Sequence, residues 1–207
     1  MKSVLKRTGA TFSTIVLMAL CAAAQQQAQD RIVAEGGVDE RACTRVLYWD
    51  RQADAAAGQV AICYGRPMWK KAYEDAGQFD GMTKGKIWRM GANWWTTLDT
   101  DLPLSIAGQE VAPGHYYLGL TRSADGAQWS LAVIDTAGAL RQHLDAFDIR
   151  KAKVEFAVPV SAAAPENIAE KLTITLTYPK ENHSHLILKI AWGNLALSVP
   201  VNVSVPE

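Results

Sequence analysis

Alternation of apolar and polar residues with period two is the feature of this chain that most limits its fold. In residues 172–178, leucine, isoleucine and tyrosine side chains alternate with three threonines. The segment 128–134 repeats the pattern, with Trp129, Leu131 and Val133 on the inward face. Period two places successive side chains on opposite faces of an extended strand. The pattern therefore predicts strands that are buried on one face and rich in residues that favour β-structure.

The C-terminal residues predict a β-hairpin with a defined register. Gly193-Asn194 is a two-residue turn signal, and such a turn fixes which residues face each other. The predicted apolar pairs are Trp192 with Leu195, Ile190 with Leu197, Leu188 with Val199, and Leu186 with Val201. The predicted outer face carries His185, Lys189, Ser198 and Asn202. Pro200 lacks an N–H donor, so we expect this last strand to lie at a sheet edge.

The remaining elements are short strands separated by glycine and proline. Further strands are predicted near 45–50, 59–64, 95–99, 102–106, 115–121 and 151–158. Two short helices are predicted at 69–77 and 138–146, and 106–115 is predicted as a connection with a turn at each end. Many short strands without βαβ alternation predict an all-β fold, an antiparallel β-sandwich or partly open barrel with one or two short helices.

The N-terminus has the organisation of a secretory signal peptide. Lys2, Lys6 and Arg7 precede a short apolar run that is followed by three alanines. These features predict a signal peptide over residues 1–24, cleaved after Ala24, and therefore a periplasmic or secreted protein. An alternative is a lipoprotein anchored through Cys21, but that modification requires a small residue before the cysteine, where this chain has leucine.

The charge of the processed chain excludes one broad class of function. The full chain has 21 basic and 21 acidic residues, and residues 1–24 contain three of the basic ones and none of the acidic ones. Processing would leave 18 basic against 21 acidic residues, a net charge of −3. Nucleic-acid binding requires clustered positive charge, so no nucleic-acid partner is expected. No second apolar run is long enough to span a membrane.

The two cysteines that remain after processing predict a disulfide bond. Cys43 and Cys63 flank two predicted strands and a turn, which would bring them side by side. An isolated pair in an oxidising compartment favours the bridged state. Residues 25–42 have no periodic pattern and are predicted to be a flexible leader, and residues 43–207 a single β-sandwich domain.

No catalytic or metal-binding constellation stands out. There is no Gly-x-Ser-x-Gly motif, and the acidic pairs at 74–75 and 99–101 are those of solvated surface. His183 and His185 would share a strand face, but a third ligand is not visible. The sequence therefore predicts no catalytic residue, cofactor or metal.

The stretch WRMGANWWTT, residues 88–97, is the strongest candidate for a site. Trp94 and Trp95 are adjacent, so in a strand one ring would enter the core and the other would be exposed. An exposed indole near Arg89 and Asn93 could stack on a sugar ring while the polar side chains orient it. The structural alternative is that turns and aromatic residues here serve packing alone.

The expected partners of Arg89 follow from the cost of burying a charge. A guanidinium in a partly buried corner requires a carboxylate or several carbonyl groups. We expect Arg89 and Asn93 to form a polar cluster at one end of the sandwich, with Trp88 packed beneath it. The first expected partner of Arg89 is Asp99 or Asp101.

Five segments of the chain resemble an exported bacterial family. They are YGRP (64–67), GKIWRMGANWWTT (85–97), IAGQEVAPGHYYLGL (106–120), QWSLAVI (128–134) and LKIAWGNLALSVPV (188–201). In this order they resemble domain-of-unknown-function family 2911 over residues 45–203. The most specific motif is Trp-Arg-x-Gly-Ala-Asn at 88–93, supported by Arg66-Pro67 and Pro-Gly-x-Tyr at 113–116.

The resemblance implies an all-β extracytoplasmic domain and no established activity. The chain departs from the family at Trp94 and Trp95, where a Glu or small residue is usual, and at His115, where Thr is frequent. A family-wide role of Arg89 and Asn93 would survive these changes, whereas a shared ligand would be in doubt.

Two classes of function are left open by the sequence. The first is a non-enzymatic binding or envelope-associated module for a glycan or another envelope component. Its ligand-binding residues would be drawn from Arg66, Arg89, Asn93, Trp94, Trp95 and His115. The second is a hydrolase of envelope or carbohydrate material that uses a carboxylate or histidine at the same corner. The first is preferred because no catalytic constellation is apparent.

Overall fold

The computed structural model describes residues 40–205, and these residues form one antiparallel sheet with few short helices. The predicted signal peptide 1–24 and all but the end of the predicted leader 25–42 lie outside the described residues. The first strand begins at Arg41, within the range that was predicted as leader. Among the described residues, no helix has the length and apolar character needed to cross a membrane.

The described strands account for the alternating pattern along the chain. They are β1 (Arg41–Asp50), β2 (Ala55–Gly65), β3 (Ile87–Trp88), β4 (Thr96–Thr100), β5 (Leu104–Ile106), β6 (Gln109–Val111), β7 (Gly114–Arg122), β8 (Trp129–Ile134), β9 (Val154–Ala163), β10 (Ala169–Thr177), β11 (His185–Gly193) and β12 (Leu195–Val203). Along the sheet they follow the order β1-β2-β4-β7-β8-β9-β12-β11-β10, with β3 beside β7 and the β5–β6 hairpin beside β12. The predicted all-β class is confirmed.

Within residues 40–205, two α-helices and two 3-10 helices take the place of the two predicted helices. The α-helices are Ala76–Thr83 and Thr136–Arg141, and the 3-10 helices are Lys71–Glu74 and Ala146–Lys151. The predicted boundaries were wrong because aspartates set the starts: Asp75 accepts a hydrogen bond from the Gln78 N–H, and Asp135 from the Gly138 N–H. The second helix then ends before His143, whose positive φ of 52° is incompatible with a helix.

The predicted C-terminal hairpin is confirmed, but the edge position of its second strand is wrong. All four apolar pairs form between β11 and β12 in the predicted register. On its other side, β12 pairs with β9 through residues 196–198 and with β5 through residues 201–203. Pro200 lies between these two segments, and its carbonyl accepts from the Ala107 N–H. The absence of a backbone N–H at Pro200 therefore falls in the gap between β9 and β5, where no ladder bond is lost. A proline is for this reason tolerated in a central strand.

The two ends of the sheet meet through side chains. The Tyr64 hydroxyl lies 2.9 Å from the Ile174 nitrogen and 3.2 Å from the Ile174 carbonyl oxygen. The Thr44 hydroxyl accepts from the Leu176 N–H at 3.0 Å. Among the described residues, β1 and β10 form no backbone ladder, and the seam is closed by these hydroxyl bonds from β1 and β2 and by an isolated bridge between Met68 and Lys171. The fold is thus a barrel that is partly open along this seam.

The sheet has a main core on its inner face and a smaller cluster on its outer face. In β8, Leu131 and Val133 belong to the main core, whereas Ala132 and Ile134 belong to the outer cluster. The outer cluster is roofed by residues of the second α-helix and the 3-10 helix Ala146–Lys151. Strand alternation therefore supplies apolar residues to both faces of the same strand, which is why β8 is almost continuously apolar.

Candidate functional site

The stretch WRMGANWWTT supplies side chains to both faces of the sheet. Trp88 lies in β3, opposite Leu120 of β7. Met90 is fully buried in the main core, and its positive φ of 54° begins a sharp turn. The Met90 carbonyl accepts from the buried Thr96 hydroxyl at 2.7 Å. The turn also packs on Gly65, where an added Cβ would collide with the Ala92 backbone. The local geometry is thus fixed by backbone contacts.

Trp88 lines an aromatic cavity at one end of the main core. The cavity has a volume of 440 Å³, within the size range of small-molecule sites. We call it the aromatic cavity; its lining residues are Tyr73, Phe79, Met82, Thr83, Lys86, Ile87, Trp88, Trp129, Arg150, Trp192 and Leu195.

Two indoles of the cavity, Trp88 and Trp192, contact each other and form a continuous wall with Trp69 of the adjoining pocket. Trp88 stacks on Trp192 with centroids 4.9 Å apart, and Trp69 meets Trp192 edge-on at 5.1 Å. The Trp192 N–H donates to the Pro67 carbonyl at 2.9 Å, which fixes the orientation of that ring. Trp69 also packs against Gly193, where a Cβ would overlap the indole. Rings held by hydrogen bonds and packing form a preorganised surface.

The Ala76–Thr83 helix forms the roof of the cavity and is attached by one arginine. Its Phe79 ring packs 6.3 Å from the Trp129 ring. Arg122 of β7 donates to Asp80 at 2.7 Å and to the Thr83 hydroxyl at 2.9 Å. Lys84 also pairs with Asp80. Hydrogen bonds from Lys84 and Arg122 lower the pKa of the Asp80 carboxyl. With no buried residue in this helix, its position depends on Arg122 and a few aromatic contacts.

Trp95 has a different environment from Trp88. It is 0% exposed and stacks on Tyr117 with centroids 4.5 Å apart and planes at 1°. Burial raises the pKa of the Tyr117 hydroxyl. We call Trp95, Tyr117 and the outer-face residues around them the closed cluster. The prediction that one tryptophan of the pair would be buried is confirmed, since Trp94 is 50% exposed.

The predicted partners of Arg89 were wrong. Its guanidinium lies 4.0 Å from the centroid of the Phe147 ring. Burial lowers the pKa of Arg89, and the negative charge of Asp145 opposes this shift. Asp99 instead binds His115, and Asp101 accepts from the Gln59 N–H.

The expectation that Trp88 packs beneath Arg89 was also wrong. The strand β3 ends at Trp88, which lines the aromatic cavity, whereas the next residue, Arg89, contacts Phe147 of the 3-10 helix on the outer face.

The other predicted site residues have separate partners. The Arg66 Nε donates to the Leu172 carbonyl at 3.3 Å. Asn93 is exposed with a positive φ of 61°. His115 Nδ1 lies 2.5 Å from Asp99 Oδ1, and its ring meets Tyr117 edge-on. The structure thus connects His115 to Trp95 through Tyr117, while Arg66 and Arg89 contact other elements.

Sequence reasoning missed the aromatic cavity. Trp129 and Trp192 were predicted to face inward, and both do. Nothing in the local pattern showed that they meet Trp69 and Phe79 at an open end of the core. The available signal was the tryptophan content. The chain has seven tryptophans, and only three of them lie in the WRMGANWWTT stretch that was chosen as the candidate site.

His183 and His185 do not form part of a metal cluster. The His183 ring packs edge-on against Tyr178, and His185 is exposed on β11. Within residues 40–205, no group of three or more His, Cys, Asp or Glu side chains is placed to hold a metal ion.

Comparison with known proteins identifies a family but no activity. A family described as "Protein of unknown function (DUF2911)" matches residues 50–201. No curated protein and no solved structure matches the chain.

Proposed function

Because the chain belongs to the DUF2911 family, whose function is unknown, we propose that it is a binding module without catalytic activity that holds a small ligand in the aromatic cavity. The observation that supports this proposal is the cavity at the edge of the main core, where Trp88 is partly exposed and stacks on the buried Trp192. Aromatic faces bind flat apolar surfaces, including those of sugar rings. The residues that carry the binding are then Trp88, Trp129 and Trp192, rather than Arg66, Asn93 or His115.

We also propose that this binding occurs outside the cytoplasm, and the N-terminal sequence supports this location. Residues 1–24 have the order of charged, apolar and small residues that a secretory signal requires. The Cys43–Cys63 bridge supports export, because disulfides persist in oxidising compartments. A glycan or another component of the cell envelope is the ligand source that fits this location. The mass of the exported protein tests the proposal: retention of residues 1–24, or a lipid on Cys21, would contradict it.

A pair of related dyes tests the binding site. N-phenylnaphthylamine and its sulfonated form, anilinonaphthalene sulfonate, both fluoresce when they leave water for an apolar site. We expect at least one of them to bind the wild-type protein saturably at one site, and Trp88→Leu to weaken binding by about tenfold or more, since a stacked ring contributes roughly 1.5 kcal/mol. Trp94→Leu is the matched control, because it removes an exposed indole outside the cavity.

Two outcomes would contradict the proposed function. One is the absence of saturable binding of either dye to the wild-type protein. The other is equal binding to Trp88→Leu and to the wild type. Because Trp88→Leu also removes packing, Met82→Trp provides a second variant: it fills the cavity from the exposed side of its roof and should block binding.

A second candidate function is hydrolysis at the His115–Asp99 pair. Asp99 holds Nδ1 of His115 at 2.5 Å, which leaves Nε2 as the nitrogen available to a substrate or water. A histidine oriented by a carboxylate is the arrangement of a general base. Hydrolysis of para-nitrophenyl acetate tests this candidate. His115→Gln should lower the rate by about 100-fold or more if His115 is the base, and the exposed His185→Gln should leave it unchanged.

A further inference from the structure

The polar groups that line the aromatic cavity are almost all donors. Lys86 and Arg150 supply two positive charges, and the remaining polar side chains, Thr83 and Tyr73, are neutral. The Thr83 hydroxyl is already engaged, since it donates to the Phe79 carbonyl and accepts from Arg122. Of the residues that the structure describes, no carboxylate lines the cavity. A cavity lined by more donors than acceptors favours a ligand that supplies acceptors.

Lys86 retains donors for a ligand. Its ammonium bonds the Gly81 carbonyl at the roof of the cavity, which uses one of three N–H groups. Arg150 is exposed at the end of the 3-10 helix Ala146–Lys151 and carries up to five donors. A bound anion could therefore accept hydrogen bonds from both cations of the lining.

The two cations also exclude a class of ligand that aromatic cavities commonly bind. Indole faces attract quaternary ammonium groups through cation–π interaction. Here Lys86 and Arg150 would repel such a ligand, and the described part of the lining contains no carboxylate that would offset this repulsion. The charge of the lining thus selects against cations and for anions.

A side pocket adds one further donor. It shares Tyr73, Phe79 and Leu195 with the cavity and is also lined by Trp69 and Glu74. The Trp69 indole N–H is buried and has no hydrogen-bond partner within residues 40–205. Glu74 disfavours a negative charge in this pocket, so the anionic group belongs at the end with Lys86 and Arg150.

We propose that the ligand of the aromatic cavity is a compact anion: a flat apolar body stacked on the indoles, with a carboxylate or similar group bound by Lys86 and Arg150. This inference rests on the proposed function, because it specifies the ligand of that same cavity. Aromatic acids and acidic sugars both have this chemistry.

The sulfonated and neutral dyes test the inference, since they differ in one negative group. At low salt we expect the wild-type protein to bind anilinonaphthalene sulfonate about tenfold more tightly than N-phenylnaphthylamine, because charge-assisted hydrogen bonds contribute roughly 1.5 kcal/mol. Added salt should reduce this preference. In the double variant Lys86→Met/Arg150→Gln, the preference should fall to within about twofold, since the charges are gone. The matched control is Lys153→Met/Arg141→Gln, which removes two exposed cations outside the cavity and should keep the preference.

The outcomes separate this inference from the proposed function. Equal or tighter binding of the neutral dye, or a preference that persists in Lys86→Met/Arg150→Gln, overturns the inference and leaves the proposed function standing. Absence of binding of both dyes overturns the proposed function and the inference with it. Glucuronate and naphthoate, each against its uncharged parent, then distinguish an acidic sugar from an aromatic acid as the ligand source.

Discussion

The two tryptophan-containing clusters of this molecule come partly from the same ten residues and differ in one respect. Trp88 stacks on Trp192 at the rim of a cavity, whereas Trp95 stacks on Tyr117 with no exposed surface. Both pairs have parallel rings at similar distances, so aromatic stacking does not distinguish a binding surface from a packed core. The difference is whether the second face of the ring is covered. The second α-helix and the 3-10 helix Ala146–Lys151 cover the closed cluster on the outer face. The Ala76–Thr83 helix covers the aromatic cavity only in part.

Removal of the Trp95 ring should produce the largest effect. Trp95→Ala deletes a fully buried indole, and we expect it to lower the free energy of unfolding by about 3–5 kcal/mol. Trp88→Ala deletes a partly exposed ring and should cost at most about 2 kcal/mol. Equilibrium urea unfolding of both variants measures the difference. Equal losses would show that the two clusters do not differ in the way that their exposure indicates.

Loss of the disulfide should be the next largest effect on stability. Cys43 and Cys63 face each other in β1 and β2 and close a loop with a sequence separation of 20. The double variant Cys43→Ala/Cys63→Ala should lower the free energy of unfolding by about 3 kcal/mol, mainly through a less constrained unfolded chain. Wild-type protein unfolded with and without reductant is the matched comparison. Two thiols that react in the unreduced, denatured wild type would contradict the bridge.

A smaller effect is expected at the edge of the closed cluster. Arg89→Lys replaces a planar guanidinium over Phe147 by an ammonium that stacks less well. We expect a loss of about 0.5–1 kcal/mol, the range of a partly exposed cation–π contact. Thermal melts of Arg89→Lys and the wild type measure this loss. Arg141→Lys, at an exposed position of the second α-helix, is the control. If Arg89→Lys keeps full stability and instead loses dye binding, Arg89 belongs to a ligand site.

The smallest effect concerns the attachment of the cavity roof and depends on pH. The pKa of Asp80 is lowered from its ordinary value of 3.8, so the folded state favours the ionised carboxylate. The stabilisation is present above that ordinary value and is lost as pH falls through the lowered pKa. The protection factors of the amides in residues 76–83, which correct for the intrinsic pH dependence of exchange, should therefore fall in acid before those of the rest of the sheet. Asp80→Asn should remove this dependence, and an Asp80 that titrates at or above 3.8 would contradict it.

The sequence predicted those parts of the fold that depend on residues close together in the chain. The register of β11 and β12 followed from a two-residue turn and an alternating pattern, and each is contained in a few residues. The pairing of Cys43 with Cys63 followed in the same way from one hairpin. The edge position of β12 was wrong because neither β5 nor β9 is near it in sequence.

The candidate site could be predicted only in part, for a similar reason. Trp69, Trp129 and Trp192 are separated by about sixty residues each and meet only when the sheet curls. The wrong partners of Arg89 came from the assumption that a buried cation takes a carboxylate nearby in sequence. The structure instead stacks the guanidinium on the face of Phe147, a residue almost sixty positions away in sequence.

The hydroxyl bonds from β1 and β2 to β10 also affect how the protein behaves at high concentration. An exposed strand edge offers free N–H groups to strands of other molecules and is a common origin of aggregation. On β10, the N–H groups of Ile174 and Leu176 are already bonded to the hydroxyls of Tyr64 and Thr44 of the same molecule. An incoming strand finds these donors occupied, so the seam protects a partly open barrel from adding copies of itself.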